Sequence, residues 1–191
     1  MTGGGRPLLV VTVGTDHHPF DRLIRWVDAW LAAERAEVRC LMQTGTSAPP
    51  TRRAAWQAYL EFEALQAAMG EAAVVVCHGG PGTILGARNA GTIPVVVPRQ
   101  AGLGEHVDDH QVVFARHLAA AGSVFLAESE AGLGALLDQA TVEPAAFRAP
   151  SRPRSMDGAV QSFERLVDSL VSGSGPFPPR VASTESEGVG P

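Results

Sequence analysis

The chain has 191 residues, of which 45% are hydrophobic, and a formal net charge of −5 at pH 7. This length accommodates one medium-sized domain with a hydrophobic core, but it is too short for two full nucleotide-binding domains. The acidic balance argues against a nucleic-acid-binding protein, which usually carries a basic stripe.

Short apolar runs alternate with amphipathic stretches along most of the chain. The five predicted strands cover residues 8–13, 38–42, 72–77, 93–97 and 124–127. The predicted helices cover 20–33, 56–69, 84–90, 108–121 and 131–140, where apolar residues recur at helical spacing. Strands that alternate with helices in this way predict an α/β fold with a single Rossmann-like, doubly wound parallel sheet.

The regular pattern loosens after residue 142. We predict a flexible start at 1–7, a ligand-binding domain at 8–142 and a linker at 143–158, which Pro144, Pro150 and Pro153 interrupt. Residues 159–171 place apolar side chains on one helical face and predict an amphipathic helix. Residues 172–191 are rich in Gly, Pro, Ser and Glu, a composition typical of a disordered tail.

The sequence shows no targeting or membrane signal. Residues 1–7 are Gly-rich and lack the apolar core of a signal peptide, and no run of about 18 apolar residues is present. Cys40 and Cys77 lie in or beside apolar runs without a metal-binding spacing, so we expect buried, reduced thiols. These features predict a cytoplasmic location.

A Gly-rich motif, His78-Gly79-Gly80-Pro81-Gly82-Thr83, directly follows the most apolar predicted strand. Parallel sheets bind ligands at the carboxyl ends of their strands, and a helix that begins after such a strand favours an anion at its N-terminus. Glycines also let a diphosphate approach the backbone closely. The motif is neither a P-loop nor a clean G-x-G-x-x-G fingerprint, and on its own it is moderately specific.

A second polar block combines Pro98-Arg99 with Gly104-Glu105-His106-Val107-Asp108-Asp109-His110-Gln111. It lies between a predicted strand end and a predicted helix start. Asp108 could cap that helix, but the density of Glu, His, Asp and Gln exceeds what capping needs. The block therefore predicts a binding or catalytic surface.

These two blocks, together with residues 11–15 and 20–24, resemble the carboxy-terminal domain of the family 28 glycosyltransferases. Within that family the chain is similar to stand-alone donor-binding subunits. These are the small subunit of bacterial exopolysaccharide glucuronosyltransferases and that of the eukaryotic dolichol-linked N-acetylglucosaminyltransferase. The resemblance implies one half of a GT-B glycosyltransferase that transfers a hexose or hexuronic acid from a UDP-sugar.

The resemblance also implies a donor site. The Gly-rich loop would hold the diphosphate, 43–45 would line the nucleotide pocket, and 105–111 would contact sugar or ribose. The implied donor-binding residues are Gly14, Thr15, Gln43, Thr44, Gly45, His78, Gly79, Gly80, Gly82, Thr83, Arg99, Glu105, His106, Asp109, His110 and Gln111. One position departs from the pattern, because Gly86 stands where many members carry a ribose-binding Glu.

Sugar transfer builds negative charge on the leaving diphosphate, which backbone N–H groups, a helix dipole and a cation can stabilise. Arg99 is the candidate cation, and it could also meet the carboxylate of glucuronate, our first candidate sugar. The sequence contains no Asp-x-Asp motif, so we expect neither a metal nor a cofactor to be required. The resemblance implies an inverting displacement whose base lies mainly on a partner, with His17 and His18 as local candidates.

A donor-binding half needs a second half that supplies the acceptor. The resemblance implies a membrane-anchored partner subunit and a lipid-linked saccharide acceptor at the inner face of the cell membrane. One alternative remains open, because the chain could be a non-catalytic subunit that binds a nucleotide sugar or stabilises its partner. A UDP-N-acetylglucosamine epimerase is disfavoured, because that enzyme needs both domains in one chain and 191 residues do not supply them.

Overall fold

The computed structural model describes residues 6–33 and 38–149, and these form a six-stranded parallel sheet flanked by helices. The strand order is β3-β2-β1-β4-β5-β6, and every pairing is parallel. This is the strand order of a Rossmann-like sheet, and it confirms the predicted fold class. The strands are β1 Leu8–Thr12, β2 Arg39–Gln43, β3 Ala55–Gln57, β4 Val74–Cys77, β5 Val95–Val96 and β6 Phe125–Leu126.

Within the described residues, four α-helices connect strands and a fifth follows β6. Pro81 stands at the first position of α3, where its missing N–H costs nothing, and the hydroxyl of Ser129 caps α5 by accepting from Gly132 N at 3.1 Å. The helices are α1 Asp21–Ala32, α2 Phe62–Glu71, α3 Pro81–Asn89, α4 His110–Ala120 and α5 Glu130–Val142, with short 3₁₀ turns at Ala101–Leu103 and Pro144–Phe147. Within the described residues, no helix is long and apolar enough to cross a membrane.

The core has two parts, one on each face of the sheet, because alternate strand residues point to opposite faces. Leu9 and Val11 of β1 join the larger cluster, which includes α1 and α5 residues such as Leu23 and Leu133. Val10 joins the smaller cluster with α2 and α3 residues. Cys40 and Cys77 are buried free thiols, as expected, and burial raises the pKa of each to about 12.

The segment 55–61 differs from the prediction. It was expected to begin a helix at Trp56, but residues 55–57 form the edge strand β3 and the helix begins only at Phe62. All three β3 side chains are exposed, so the strand has no apolar alternation to reveal it. Trp56, Tyr59 and Phe62 are 47%, 51% and 74% exposed, so these aromatic side chains lie at the surface and not in the core.

The carboxy-terminal boundary also shifts. Phe147, which was expected in a linker, is fully buried in the larger core cluster, and its carbonyl accepts from Ile93 N at 2.8 Å. The packed domain therefore continues at least to this residue. The amphipathic helix predicted at 159–171 and the tail predicted at 172–191 lie outside the described residues.

The sheet has a switch point between its two central strands. After β1 the chain crosses to β2 on one side, and after β4 it crosses to β5 on the other. The loops that follow β1 and β4 therefore diverge and leave a crevice above the carboxyl ends of these strands, where such sheets bind ligands.

Candidate functional site

His78, directly after β4, joins the two loops at the switch point. A Cβ added to Gly14 would lie 2.4 Å from its ring, and one added to Gly80 would lie 2.1 Å from it. Gly14 also has a φ of +80°, which other residues rarely adopt. Burial, and then the positive charge of Arg99, lower the pKa of His78 to about 4, so the ring is neutral at pH 7. The uncharged ring packs between the loop that follows β1 and the loop that follows β4.

Gln111, in the first turn of α4, holds the start of the Gly-rich loop. Its Oε1 accepts from Gly79 N at 3.0 Å and from Arg99 N at 3.3 Å. A Cβ on Gly79 would lie 2.9 Å from the Cβ of Gln111, so this glycine permits a close side-chain contact. Gly79 N and the Gln111 carboxamide oxygen satisfy each other and are not free to contact a donor.

The opening turn of α3 has backbone donors that the helix itself does not use. Pro81 has no N–H, and the first N–H to bond within the helix is that of Ile84, which donates to Gly80 O at 3.1 Å. The N–H groups of Gly82 and Thr83 therefore have no intrahelical acceptor. Gly82 is exposed, and no heavy atom lies within 4 Å of a Cβ placed there. The turn is an open position for an anion, with the Thr83 hydroxyl beside it.

Arg99 is fully buried and serves as a structural tie. Its guanidinium donates to the carbonyl oxygens of His18, Glu105 and Val13 at 2.7, 2.9 and 2.9 Å, and it lies 4.8 Å from the centre of the Phe20 ring. It therefore fixes the loop after β1 against the second polar block. In this conformation the guanidinium is bound to protein carbonyl oxygens, and the expected contact of Arg99 with a diphosphate or a sugar carboxylate stays a prediction.

Glu105 is also buried and fully engaged. Arg22 of α1 grips it with two hydrogen bonds, Nε to Oε1 at 2.8 Å and Nη2 to Oε2 at 2.7 Å, and Gln100 N donates to Oε2 at 3.0 Å. A charged pair with this geometry is a bidentate anchor for the loop. Its carboxylate is bound to protein donors in this structure, and the expected contact of Glu105 with a sugar hydroxyl stays a prediction.

Residues 43–45 turn their polar groups toward the protein. Gln43 donates to Thr12 Oγ1 and to Gly14 O, both at 3.2 Å, and its Oε1 accepts from Leu60 N at 3.0 Å. Thr44 N and Gly45 N bond the strand extension at Gln57 and Ala58. This turn shapes the wall of the crevice, and its side chains do not project into it.

The rim of the crevice carries a row of imidazoles and carboxylates. Asp16 Oδ1 accepts from both the backbone N–H and the ring Nδ1 of His18 at 2.7 Å. Although partial burial opposes it, these bonds hold the pKa of Asp16 at about 2. His106 extends the row, since its Nε2 lies 3.6 Å from Asp16 Oδ2, and His110 Nδ1 hydrogen-bonds Asp108 Oδ1.

Other predicted residues also lie on this rim. Thr15 is exposed, and the side chain of His17 is 82% exposed, 3.7 Å from Asp16. Asp109 precedes α4 and its carboxylate accepts from Ala101 N at 2.8 Å. The structure thus brings the predicted residues of three loops to one edge of the sheet, some as supports and some as exposed groups.

Three residues that matter here were not singled out from the sequence. Arg22 and Asp16 anchor the loops, and Gln66 of α2 covers the departure at Gly86, since a Cβ there would lie 2.5 Å from Gln66 Nε2. An Arg within the apolar face of a predicted helix was a usable signal for Arg22, because such a residue needs a buried partner. Nothing in the linear sequence links Gln66 to Gly86.

The comparisons with known proteins agree with this architecture. A family model described as the glycosyltransferase family 28 C-terminal domain matches residues 8–161, more than half of the chain. No curated protein matches. Among solved structures, MurG of Acinetobacter baumannii is similar with a TM-score of 0.54 and 19% identity over 86% of this chain and 51% of that one.

Two further solved structures share the fold. CalG4, the calicheamicin glycosyltransferase, gives a TM-score of 0.53 and 15% identity over 92% of this chain and 42% of its own. The glycosyltransferase of kitacinnamycin gives 0.53 and 18%, over 92% of this chain and 41% of its own. The chain thus spans about half the length of these structural neighbours. It belongs to the glycosyltransferase family 28 C-terminal domains, and its sheet is one Rossmann-like half of a GT-B fold.

Proposed function

We propose that this chain is the donor-binding part of an inverting glycosyltransferase and that it holds the diphosphate of a UDP-sugar at the N-terminus of α3. The proposal rests on the opening turn of α3, where no heavy atom lies within 4 Å of a Cβ placed at Gly82 and the N–H groups of Gly82 and Thr83 have no acceptor within the helix. Negative charge that develops on the leaving diphosphate is favoured there by the donors and the helix dipole.

The surrounding loops keep that turn in place without adding a competing charge. His78 is neutral and separates Gly14 from Gly80, and Gln111 holds Gly79. Arg99 contributes its buried positive charge at a distance, since its Nη1 and Nη2 are bound to carbonyl oxygens. Preorganised dipoles of this kind need no rearrangement when the transition state forms.

His18 is the local candidate for the general base. Because Asp16 is ionised, Nδ1 of His18 is the donor in their 2.7 Å hydrogen bond, and a lone pair on Nε2 can then accept a proton. An oriented imidazole–carboxylate pair is a recurring base arrangement. His17 has only a 3.7 Å approach to Asp16 and is much more exposed, so it is the weaker candidate.

We propose that a partner subunit supplies the acceptor-binding half, as the resemblance to stand-alone donor-binding subunits implies. The chain spans 41–51% of its structural neighbours, about the share of one half of a GT-B fold. We assign the acceptor site, and the main base if His18 is not it, to a membrane-anchored partner subunit. The acceptor would be a lipid-linked saccharide at the inner face of the cell membrane, in exopolysaccharide or glycan assembly, and this chain would be peripheral there.

The transferred sugar is a hexose or a hexuronic acid. The structure gives no support for glucuronate as the transferred sugar, because Arg99 is buried and its guanidinium is bound to protein carbonyl oxygens in this conformation. The alternative function is a non-catalytic subunit that binds the nucleotide sugar. The observation that favours it is the covered Gly86 position, where Gln66 stands over the helix. Sugar transfer is measured with the two subunits reconstituted together. Transfer that is lost in His18→Ala indicates that this chain takes part in catalysis and does not only bind the nucleotide sugar.

Calorimetric titration of the chain with UDP, UDP-glucose, UDP-N-acetylglucosamine and UDP-glucuronate tests donor binding. Gly82→Asp is the informative variant, because a Cβ fits there without contact and an Asp favours a helix N-terminus while it repels a diphosphate. Gly102→Asp, also in open space, is the matched control. We expect binding that Gly82→Asp weakens at least tenfold and Gly102→Asp leaves within twofold; equal binding by both variants would refute this placement.

A further inference from the structure

The carboxamide of Gln66 occupies the place of a missing side chain on α3. A Cβ added to Gly86 would lie 2.5 Å from Gln66 Nε2, 3.6 Å from its Cδ and 3.8 Å from its Oε1. Gln66 belongs to α2 and Gly86 to α3, so the amide lies in the groove between the two helices. Glycine inside a helix is less favourable than alanine, and at this position it leaves room for a polar group of the neighbouring helix.

The hydrogen-bonding capacity of this amide is almost unused. A carboxamide has two N–H donors and an oxygen with two lone pairs. Within the described residues, the one hydrogen bond of the Gln66 amide runs from Nε2 to the thioether Sδ of Met69 at 3.9 Å, and a thioether is a weak acceptor. The side chain is partly exposed, so a ligand can reach its oxygen and its second N–H.

Two other glutamines near the crevice differ from Gln66 in this respect. The carboxamide of Gln43 makes three hydrogen bonds to residues of the surrounding loops, and Gln111 Oε1 accepts from two backbone N–H groups. Both of these amides fix loops of the protein. The Gln66 amide bonds no backbone group within the described residues, so its replacement leaves no loop without support.

The amide lies one helical turn from the open donors of α3. Gly82 and Thr83 precede Gly86 by four and three residues, so all three positions share one face of the helix. One turn advances the helix by about 5.4 Å. In a nucleoside diphosphate, the ribose follows the α-phosphate through the 5′ oxygen and carbon alone. A diphosphate at the opening turn therefore brings the ribose hydroxyls within reach of Gln66 when the nucleoside extends along this face.

We propose that the Gln66 carboxamide binds the ribose hydroxyls of the donor nucleotide, so that this residue selects a ribonucleotide. The inference rests on the proposed function, because it needs the diphosphate at the opening turn of α3. A hydroxyl can donate to the amide oxygen or accept from the amide N–H, so two neighbouring hydroxyls match the two kinds of group in a carboxamide. Gly86 has no side chain for this contact, and α2 supplies it to a ligand that is held on α3.

Calorimetric titration of the full chain with UDP and with 2′,3′-dideoxy-UDP, which lacks both ribose hydroxyls, tests the contact. The parent chain should bind UDP about tenfold more tightly than the analogue, a ratio typical of one or two hydrogen bonds between uncharged groups. Gln66→Met keeps an unbranched side chain but removes both hydrogen-bonding groups, so it should bind the two nucleotides within about twofold of each other. Gln66→Glu keeps an acceptor for the hydroxyls and should still prefer UDP by about threefold or more.

The ratio of the two dissociation constants separates a contact from an effect on packing. A substitution that only disturbs the groove between α2 and α3 weakens UDP and the dideoxy analogue equally and leaves the ratio unchanged. Gln139→Met is the matched control, because it replaces an exposed glutamine on α5. It should retain the ratio of the parent chain.

The outcomes distinguish this inference from the proposed function. The Gln66 contact is overturned, and the diphosphate placement stands, if Gly82→Asp weakens UDP while Gln66→Met keeps the preference of the parent chain. Equal affinity of the parent chain for the two nucleotides likewise overturns the contact alone. If the parent chain binds neither nucleotide, or if Gly82→Asp binds UDP as the parent does, the diphosphate placement and the Gln66 contact both fall.

Discussion

At the scale of single residues, the glycines of the Gly-rich motif are required at their positions for different structural reasons. Gly80 makes room for the ring of His78, as Gly14 does from the first loop, and Gly79 makes room for Gln111. Of the four glycines Gly14, Gly79, Gly80 and Gly82, only Gly82 is a position where an added Cβ meets nothing. The sequence predicted that glycines admit a ligand, but contacts within the protein already require three of these four. Gly82 is therefore the position at which a substitution reports on ligand binding and not on folding.

The Arg22–Glu105 pair predicts a large stability effect. Glu105→Ala leaves the guanidinium of Arg22 buried without its carboxylate, and breaking a buried pair in this way costs about 3–5 kcal/mol. Urea unfolding measures the loss. Glu128→Ala is the control, since its pair with Arg116 is solvent-exposed and contributes about 0–1 kcal/mol. Similar losses in the two variants would mean that the buried pair does not anchor the loop.

His78 predicts a dependence of stability on pH. Burial, with help from Arg99, keeps the folded pKa at about 4, whereas the unfolded chain takes up a proton below its ordinary value of 6.5. The contribution is present in full above about 6.5 and is lost as the pH falls toward 4, by about 3 kcal/mol in total. The low pKa of Asp16 acts at lower pH, outside this window.

Urea unfolding at several pH values between 4 and 8 measures this dependence. His78→Asn removes the titrating group, so its stability should change less over the same range, whatever its stability at pH 7. If the free energy of unfolding depends on pH in the same way in both proteins, a group other than His78 is responsible.

At the scale of elements, the contact between α2 and α3 at Gly86 predicts a coupling. Alanine within a helix is usually more stable than glycine by about 0.5–1 kcal/mol, but a Cβ at Gly86 would lie 2.5 Å from Gln66 Nε2. Gly86→Ala should therefore gain little in the parent chain, because the Gln66 amide must move. It should gain the full amount in Gln66→Ala.

A double-mutant cycle followed by urea unfolding measures that coupling. Equal gains in both backgrounds would show that Gln66 does not rest on Gly86. Gly70→Ala, near the end of α2 in open space, reports whether a glycine replacement in these helices has its usual effect.

The elements also show why the sequence predicted some parts of the fold and missed others. The core strands β1, β2 and β4 are apolar and buried, so hydrophobic runs locate them. The edge strand β3 has three exposed residues, and its place depends on backbone pairing with β2. Phe147 lies beyond a proline that suggested a linker, and only tertiary packing places it in the core.

At the scale of the whole molecule, the sequence predicted that the candidate residues lie together, because the strand ends of a parallel sheet meet at one edge. It could not separate supports from ligand contacts. Arg99 and Glu105 are charged and lie in the right loops, yet partners at distant positions, Val13 and Arg22, occupy them. Such pairings depend on how loops meet in three dimensions, which spacing along one chain does not specify.

Amide chemical shifts report directly on whether the opening turn of α3 binds the donor diphosphate, as we propose. In ¹H–¹⁵N spectra of the chain titrated with UDP, the largest changes should occur at the amides of Gly82 and Thr83, with smaller ones at Gly14 and Thr15. Uridine without phosphate should leave the Gly82 and Thr83 amides nearly unchanged. Changes that avoid these two amides while UDP binds elsewhere would contradict the account.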